Sequence, residues 1–71
     1  MNIEKTYQEI EKIVKSKGIM VEKYGTNNHV IDGNDNIVED AIFTTSQEMD
    51  IKDYIYDGYN IEEIIFMIRQ W

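Results

Sequence analysis

The chain has 71 residues and a formal net charge of −7, because 14 acidic residues outnumber 7 basic ones. Apolar residues make up 42% of it, close to the share in ordinary globular proteins, which argues against intrinsic disorder. The sequence has no cysteine, which excludes a disulfide framework and a zinc–thiolate site, and the acidic balance excludes a basic nucleic-acid-binding face. We therefore expect one small domain, residues 1–71, whose own core gives only marginal stability.

No segment of the sequence is typical of a membrane span or an export signal. The longest apolar run, residues 64–68, has five residues, whereas a spanning helix needs about 20. The first dozen residues are charged and amphipathic and lack the apolar core of a signal peptide. We therefore expect a cytoplasmic protein that does not bind membranes.

The first predicted element is an amphipathic helix over residues 2–17. Its apolar residues recur at spacings of four, three and four positions, which places them on one face: Ile3, Tyr7, Ile10 and Val14. Asn2 fits the N-cap position, and Gly18 supplies the left-handed stop after the last turn.

The next region is predicted to form a three-stranded antiparallel sheet. Residues 19–24 are rich in strand-forming residues, and a Gly- and Asn-rich turn separates them from a short apolar strand at residues 29–31. Residues 32–36 have the composition of a tight hairpin turn. The third strand, with a bulge, is predicted over residues 37–44.

The last third of the chain is predicted to form two helices separated by Gly58. Thr45 and Glu48 fit a capping box at the first helix, and Asn60 and Glu63 fit a second one. The final helix has a wide apolar stripe, which must pack centrally or bind another molecule: Ile61, Ile64, Ile65 and Ile68, extended by Phe66, Met67 and Trp71. The predicted fold class is therefore α+β, in the order helix, three-stranded antiparallel sheet, two helices.

The excess negative charge is concentrated after the first helix. Residues 1–23 have a net charge of +1, whereas residues 24–71 have a net charge of −8. Such a surface attracts a basic partner and raises the rate of association. The residues predicted to contact that partner lie in the hairpin turn, the third strand and the helix that follows: Asp32, Gly33, Asn34, Asp35, Glu39, Asp40, Asp50, Asp53, Tyr54, Asp57 and Tyr59.

These residues predict a non-enzymatic inhibitor that imitates DNA. The carboxylates would take the place of nucleic-acid phosphates in the groove of a basic nucleic-acid-binding protein. Arginine side chains there would donate charge-assisted hydrogen bonds to them. In the alternative interpretation, the protein is a small structural or regulatory module. That module would self-associate as a homodimer, or dock a partner, through the apolar stripe of its last helix. A third interpretation is that the acidic face only keeps the protein soluble.

Three local features support the first interpretation: Met1-Asn2-Ile3 opening an amphipathic helix, Gly25-Thr26 in the first turn, and Asp32-Gly33-Asn34-Asp35 in the hairpin. Together with the predicted element order, the length and the acidic second half, they resemble small phage anti-CRISPR proteins that inhibit the nuclease Cas9. The resemblance implies that the acidic hairpin turn occupies the nuclease site that reads the short DNA motif next to the target. The target stays open, because the extended acidic tail of that family has no counterpart in this sequence.

The sequence contains no recognisable set of catalytic residues. His29 is the only histidine, and neither serine belongs to a nucleophile motif. Asp32, Asn34 and Asn36 begin like a calcium loop, but the sixth and twelfth positions of that pattern are Ile and Phe instead of Gly and Glu. We therefore expect no enzymatic activity, no metal, no cofactor and no direct binding to nucleic acid.

Overall fold

The computed structural model describes residues 2–27 and 42–71. Its elements there are four helices: α1 (Ile3–Ser16), α2 (Ile19–Tyr24), α3 (Thr45–Tyr56) and α4 (Ile61–Arg69). The described residues contain no β-strand. The predicted α+β fold with a three-stranded sheet is therefore wrong, and the described part of the chain is helical.

The first helix is confirmed by the structure. Asn2 caps α1, since its side-chain oxygen accepts a hydrogen bond of 3.0 Å from the backbone N–H of Lys5. The predicted face turns inward, because Tyr7, Ile10 and Val14 are buried. Gly18 then adopts a positive φ of 65°, which ends α1 and turns the chain directly into the next helix.

Residues 19–24 form helix α2 and not the predicted first strand. Ile19 and Met20 are both buried, whereas Val21 is 44% exposed. A strand would place Ile19 and Val21 on the same face and Met20 on the other, because strand side chains alternate. The adjacent pair of apolar residues, with Lys23 one helical turn later, fits the helical period instead.

The predicted third strand is also wrong where the structure describes it. Ile42 and Phe43 are adjacent and both buried, and Thr44 is the N-cap of α3. The predicted second strand at residues 29–31 and the hairpin turn at residues 32–36 lie outside the described residues.

Both C-terminal helices begin with capping boxes, one of them a residue away from its predicted position. At α3 the box joins Thr44 and Gln47, so Glu48 is free for other contacts. At α4 the predicted box is confirmed. The backbone N–H of Glu63 donates to Asn60 Oδ1 at 2.8 Å, and Glu63 Oε1 accepts from the backbone N–H of Asn60 at 3.0 Å.

The core collects apolar side chains from every described helix and from the segment before α3: Tyr7, Ile10, Val14, Ile19, Met20, Ile42, Phe43, Ile51, Ile55, Ile64 and Ile68. Phe43 lies between the rings of Tyr7 and Trp71, each with its centroid 6.0 Å away. Lys23 Nζ donates to the carbonyl oxygens of Arg69 (3.0 Å) and Trp71 (2.6 Å), which joins α2 to the end of α4.

None of the helices in residues 2–27 and 42–71 has the length and apolar composition that a membrane-spanning helix needs.

Candidate functional site

Three exposed carboxylates lie on one face of α3, and we call them the acidic ridge: Asp50, Asp53 and Asp57. Their spacings of three and four positions stack them along the helix. The opposite face of α3 contributes Ile51 and Ile55 to the core. Burial of these isoleucines therefore fixes the acidic ridge toward solvent.

No described cation neutralises the acidic ridge. The one lysine of α3, Lys52, is already engaged on another side of the helix, where its Nζ lies 2.9 Å from carboxylate oxygens of both Glu4 and Glu48. Within residues 2–27 and 42–71, none of the three ridge carboxylates forms an ion pair. The ridge charges therefore repel one another without compensation from this part of the protein.

The acidic ridge also approaches the unfavourable end of α3. The C-terminal end of a helix has a partial negative charge, which favours basic side chains there. The last turn of α3 contains no basic residue, and Asp57 is the C-cap residue itself. Asp53 lies one turn earlier. Folding alone does not explain why carboxylates occupy these two positions.

Two exposed side chains border the acidic ridge, and the sequence prediction did not include them. Met49 precedes Asp53 by four positions and is 62% exposed, and Tyr56 follows it by three and is 79% exposed. These spacings make both of them surface neighbours of Asp53. The signal in the sequence was their position on the face of α3 opposite Ile51 and Ile55.

The two tyrosines predicted for the site have different environments. Tyr54 is partly buried and packs against the core, whereas Tyr59 is 46% exposed. Their rings meet edge to face at 6.2 Å, and the backbone N–H of Tyr59 donates to the carbonyl oxygen of Tyr54 at 3.2 Å. Tyr54 therefore holds the Tyr59 ring at the surface between α3 and α4.

The remaining residues predicted for the site lie outside the described residues: Asp32, Gly33, Asn34, Asp35, Glu39 and Asp40. The structure brings together the predicted residues of α3 and of the connection that follows it, and it leaves the predicted hairpin contribution untested.

The apolar stripe of α4 belongs mainly to the core. Ile64 and Ile68 are buried, and Ile61, Ile65 and Trp71 pack against the core cluster. Two of these five side chains are therefore closed to a partner in this fold, and the other three are only partly accessible.

Phe66 departs from this pattern, since it is 64% exposed on the outer face of α4. It lies in an open depression that we call the α4 groove, which is lined by Tyr59, Glu62, Glu63, Phe66 and Met67. The sequence prediction had counted Phe66 as an extension of the apolar stripe. Its position three and four residues after two glutamates marks it as a member of the solvent-facing side.

A polar cluster joins α1 to α3 on the far side of the core. The Tyr7 hydroxyl donates to Glu48 Oε1 at 3.4 Å, and Lys52 Nζ lies 5.1 Å from the centre of the Tyr7 ring. Burial raises the pKa of Glu11, and the nearby carboxylates of Glu48 and Glu4 raise it further. Burial likewise raises the pKa of the Tyr7 hydroxyl. The cluster is thus a structural contact in which one lysine offsets several acidic groups.

The described residues contain no group of three or more His, Cys, Asp or Glu side chains that could hold a metal ion. Comparison of the chain with protein-family models, curated proteins and solved structures gives no match in any of the three. The resemblance to anti-CRISPR proteins therefore stays a prediction, and the functional argument depends on the surfaces described above.

Proposed function

We propose that the protein is a non-enzymatic inhibitor whose acidic ridge occupies the nucleic-acid site of a basic protein. The observation behind this proposal is the placement of Asp53 and Asp57. Exposed carboxylates at the negative end of α3, without a compensating described cation, reduce the stability of the fold. A basic partner would turn the same charges into favourable contacts.

The spacing of the ridge supports imitation of a phosphate backbone. A rise of about 1.5 Å per residue spreads the three carboxylates over about 10 Å of helix axis, or one charge per about 5 Å. One strand of DNA presents one charge per about 3.4 Å of its axis. The two spacings differ by less than a factor of two. Long arginine side chains arranged to contact successive phosphates could therefore also reach successive ridge carboxylates through charge-assisted hydrogen bonds.

The border of the ridge supports a protein partner. Tyr and Met are enriched where proteins contact each other, and Tyr56 and Met49 supply such side chains beside Asp53. We propose that long-range attraction first aligns the two proteins and that these apolar side chains then make short-range contacts. The resemblance to anti-CRISPR proteins makes a CRISPR nuclease the first partner to test, and a cytoplasmic location is part of the same proposal.

The experiment measures binding to purified nucleic-acid-binding proteins with basic grooves, Cas9 among them, by surface plasmon resonance. The test variant is Asp50→Asn/Asp53→Asn, and the matched control is Glu9→Gln/Glu22→Gln, which removes two exposed carboxylates from α1 and α2. We expect binding that DNA displaces and that weakens steeply as the screening length falls from about 10 Å at 0.1 M salt to 3 Å at 1 M.

In the test variant we expect association to slow by about three- to tenfold at low salt, because its two lost charges would face the partner. The control variant should associate at nearly the original rate. Equal slowing in both variants would mean that net charge, and not the acidic ridge, drives binding. Binding that DNA does not displace would contradict the mimicry itself.

A further inference from the structure

The α4 groove is a second surface feature that the acidic ridge does not explain. We infer that it binds an arginine-containing amphipathic helix of a protein partner. In this arrangement an apolar side chain of the partner packs on Phe66 and Met67, and a neighbouring arginine pairs with Glu62 and stacks on the Tyr59 ring. The inference concerns a different face from the ridge and does not require the proposed function.

The exposure of Phe66 is the first support for this inference. α4 has only nine residues, and its inner face is already buried through Ile64 and Ile68. The fold therefore gains nothing from a phenylalanine that is 64% exposed on the outer face. Contiguous exposed apolar surface with a polar rim marks sites that bind another protein, and Phe66 is continuous with Met67 and Tyr59 in the groove.

The rim of the groove defines the charge of the occupant. Glu62 and Glu63 lie four and three positions before Phe66, so they are its neighbours on the helix surface. The Glu63 carboxylate already accepts the backbone N–H of Asn60, whereas Glu62 is exposed and forms no ion pair with a described residue. A cationic side chain next to an apolar one complements this arrangement.

Tyr59 makes arginine a better occupant than lysine. Tyr59 is 46% exposed, lines the groove and meets the Tyr54 ring edge to face, so its ring lies beside the rim. A planar guanidinium can stack on such a ring and donate to a carboxylate at the same time. Lysine offers a point charge and no planar surface.

The groove extends far enough for a helix with more than one contact. A second depression is lined by Thr6, Ile55, Asn60 and Ile61, and Tyr59 and Glu62 line both depressions. Helices that bind in grooves use anchors three, four or seven positions apart. Because Tyr59 and Glu62 lie between the two depressions, the arginine that binds them would lie between two apolar side chains of the partner helix, one in each depression.

A second copy of this chain is a poorer occupant of the groove. Each copy has a net charge of −7, and two acidic rims brought together on the same face would repel each other. The argument from charge therefore favours a basic partner helix over self-association.

The test uses a synthetic helical peptide of about 15 residues with Leu and Arg on one face. A second peptide, with Gln in place of each Arg, is the ligand control. Binding to the full chain is followed by fluorescence anisotropy of the labelled peptide. The protein variants are Phe66→Ala and Glu62→Gln, with Val21→Ala and Glu9→Gln as controls at exposed positions outside the groove.

We expect the Arg peptide to bind, Phe66→Ala to weaken its binding at least tenfold, and Val21→Ala to leave it nearly unchanged. Glu62→Gln should weaken binding of the Arg peptide about three- to tenfold and have no effect on the Gln peptide. Asp50→Asn/Asp53→Asn should leave peptide binding intact, so failure of the ridge proposal and failure of this inference are distinguishable.

Three results would overturn the inference. The first is no binding of the Arg peptide at millimolar concentration, and the second is equal loss in Phe66→Ala and Val21→Ala. The third is a dimer in sedimentation analysis that Phe66→Ala dissociates, because the groove would then belong to a second copy. Circular dichroism of each variant verifies that the fold is retained.

Discussion

Replacement of Asp57 by Asn is expected to stabilise the fold and to weaken binding to a basic partner. Asp57 caps the C-terminal end of α3, where the helix dipole is negative, and it follows Asp53 by one turn. A charge of the wrong sign at a helix end costs about 0.3–1 kcal/mol. An i,i+4 pair of like charges costs about 0.2–0.5 kcal/mol more. Because Asp57 is exposed, we expect the free energy of unfolding to rise by about 0.5–1 kcal/mol in Asp57→Asn.

Thermal and urea denaturation at low and high salt measure this effect. For a domain of this size, 1 kcal/mol corresponds to about 4–8 °C in Tm. The gain should shrink at about 1 M salt, where the screening length is only 3 Å. Glu9→Gln is the control, since it changes the net charge equally but lies between Lys5 and Lys12 on the outer face of α1. We expect no gain in stability from that variant.

The reasoning fails if both variants gain stability equally, because the effect would then come from net charge. It also fails if the gain from Asp57→Asn persists at high salt, since a local charge effect at an exposed position must be screened. If Asp57→Asn is more stable and still binds the partner at the original rate, the unfavourable position of this carboxylate has no functional explanation.

Three further predictions concern the interior and the helix contacts. Because burial raises the pKa of Glu11, its ionisation opposes folding, and the stability present below the unfolded pKa is lost as pH rises through the folded one. Glu11→Gln should therefore be more stable than the original protein at pH 7 and equally stable near pH 3 in urea titrations. Lys23→Met removes both hydrogen bonds to the end of α4 and should cost about 1–2 kcal/mol in thermal denaturation, whereas Lys12→Met, at an exposed position, should cost little. Ile68→Ala should cost about 2–5 kcal/mol, and Phe66→Ala should cost little by the same assay, since only Ile68 is buried.

The sequence predicted the elements whose signals are local. The apolar spacing of α1 and its cap at Asn2 survive in the structure, and so does the capping box of Asn60 and Glu63. In each case the determining contacts lie within one or two helical turns. Local chemistry therefore fixes these elements without help from the rest of the chain.

The prediction failed where a short segment had two compatible patterns. Residues 19–24 contain good strand formers, but the adjacent Ile19 and Met20 are both buried in the same core, which fits a helical turn. Six residues are too few for periodicity to separate the two structures. The capping box at α3 moved by one residue for a similar reason, because Thr44 and Thr45 both offer a hydroxyl.

The candidate site could be predicted in composition but not in arrangement. The sequence analysis named Asp50, Asp53 and Asp57 as contact residues, but it did not predict which carboxylates form one continuous surface. The sequence could show the i,i+4 pair of Glu48 and Lys52, but not the contact of Lys52 with Glu4, since these two residues are 48 positions apart. The sequence analysis also grouped Phe66 with the apolar stripe of α4, although its helical spacing from Glu62 and Glu63 places it on the opposite face.

Acidic charge alone does not identify a binding surface, and the two C-terminal helices make the distinction clear. Glu62 and Glu63 lie in the first turn of α4, where the helix dipole favours negative charge, so folding accounts for them. The carboxylates of Asp53 and Asp57 lie near the C-terminal end of α3, where the helix dipole disfavours negative charge. The acidic ridge is a candidate binding surface because of where its charges lie along α3. The α4 groove is a candidate because the exposed Phe66 ring lies beside charges that folding already explains.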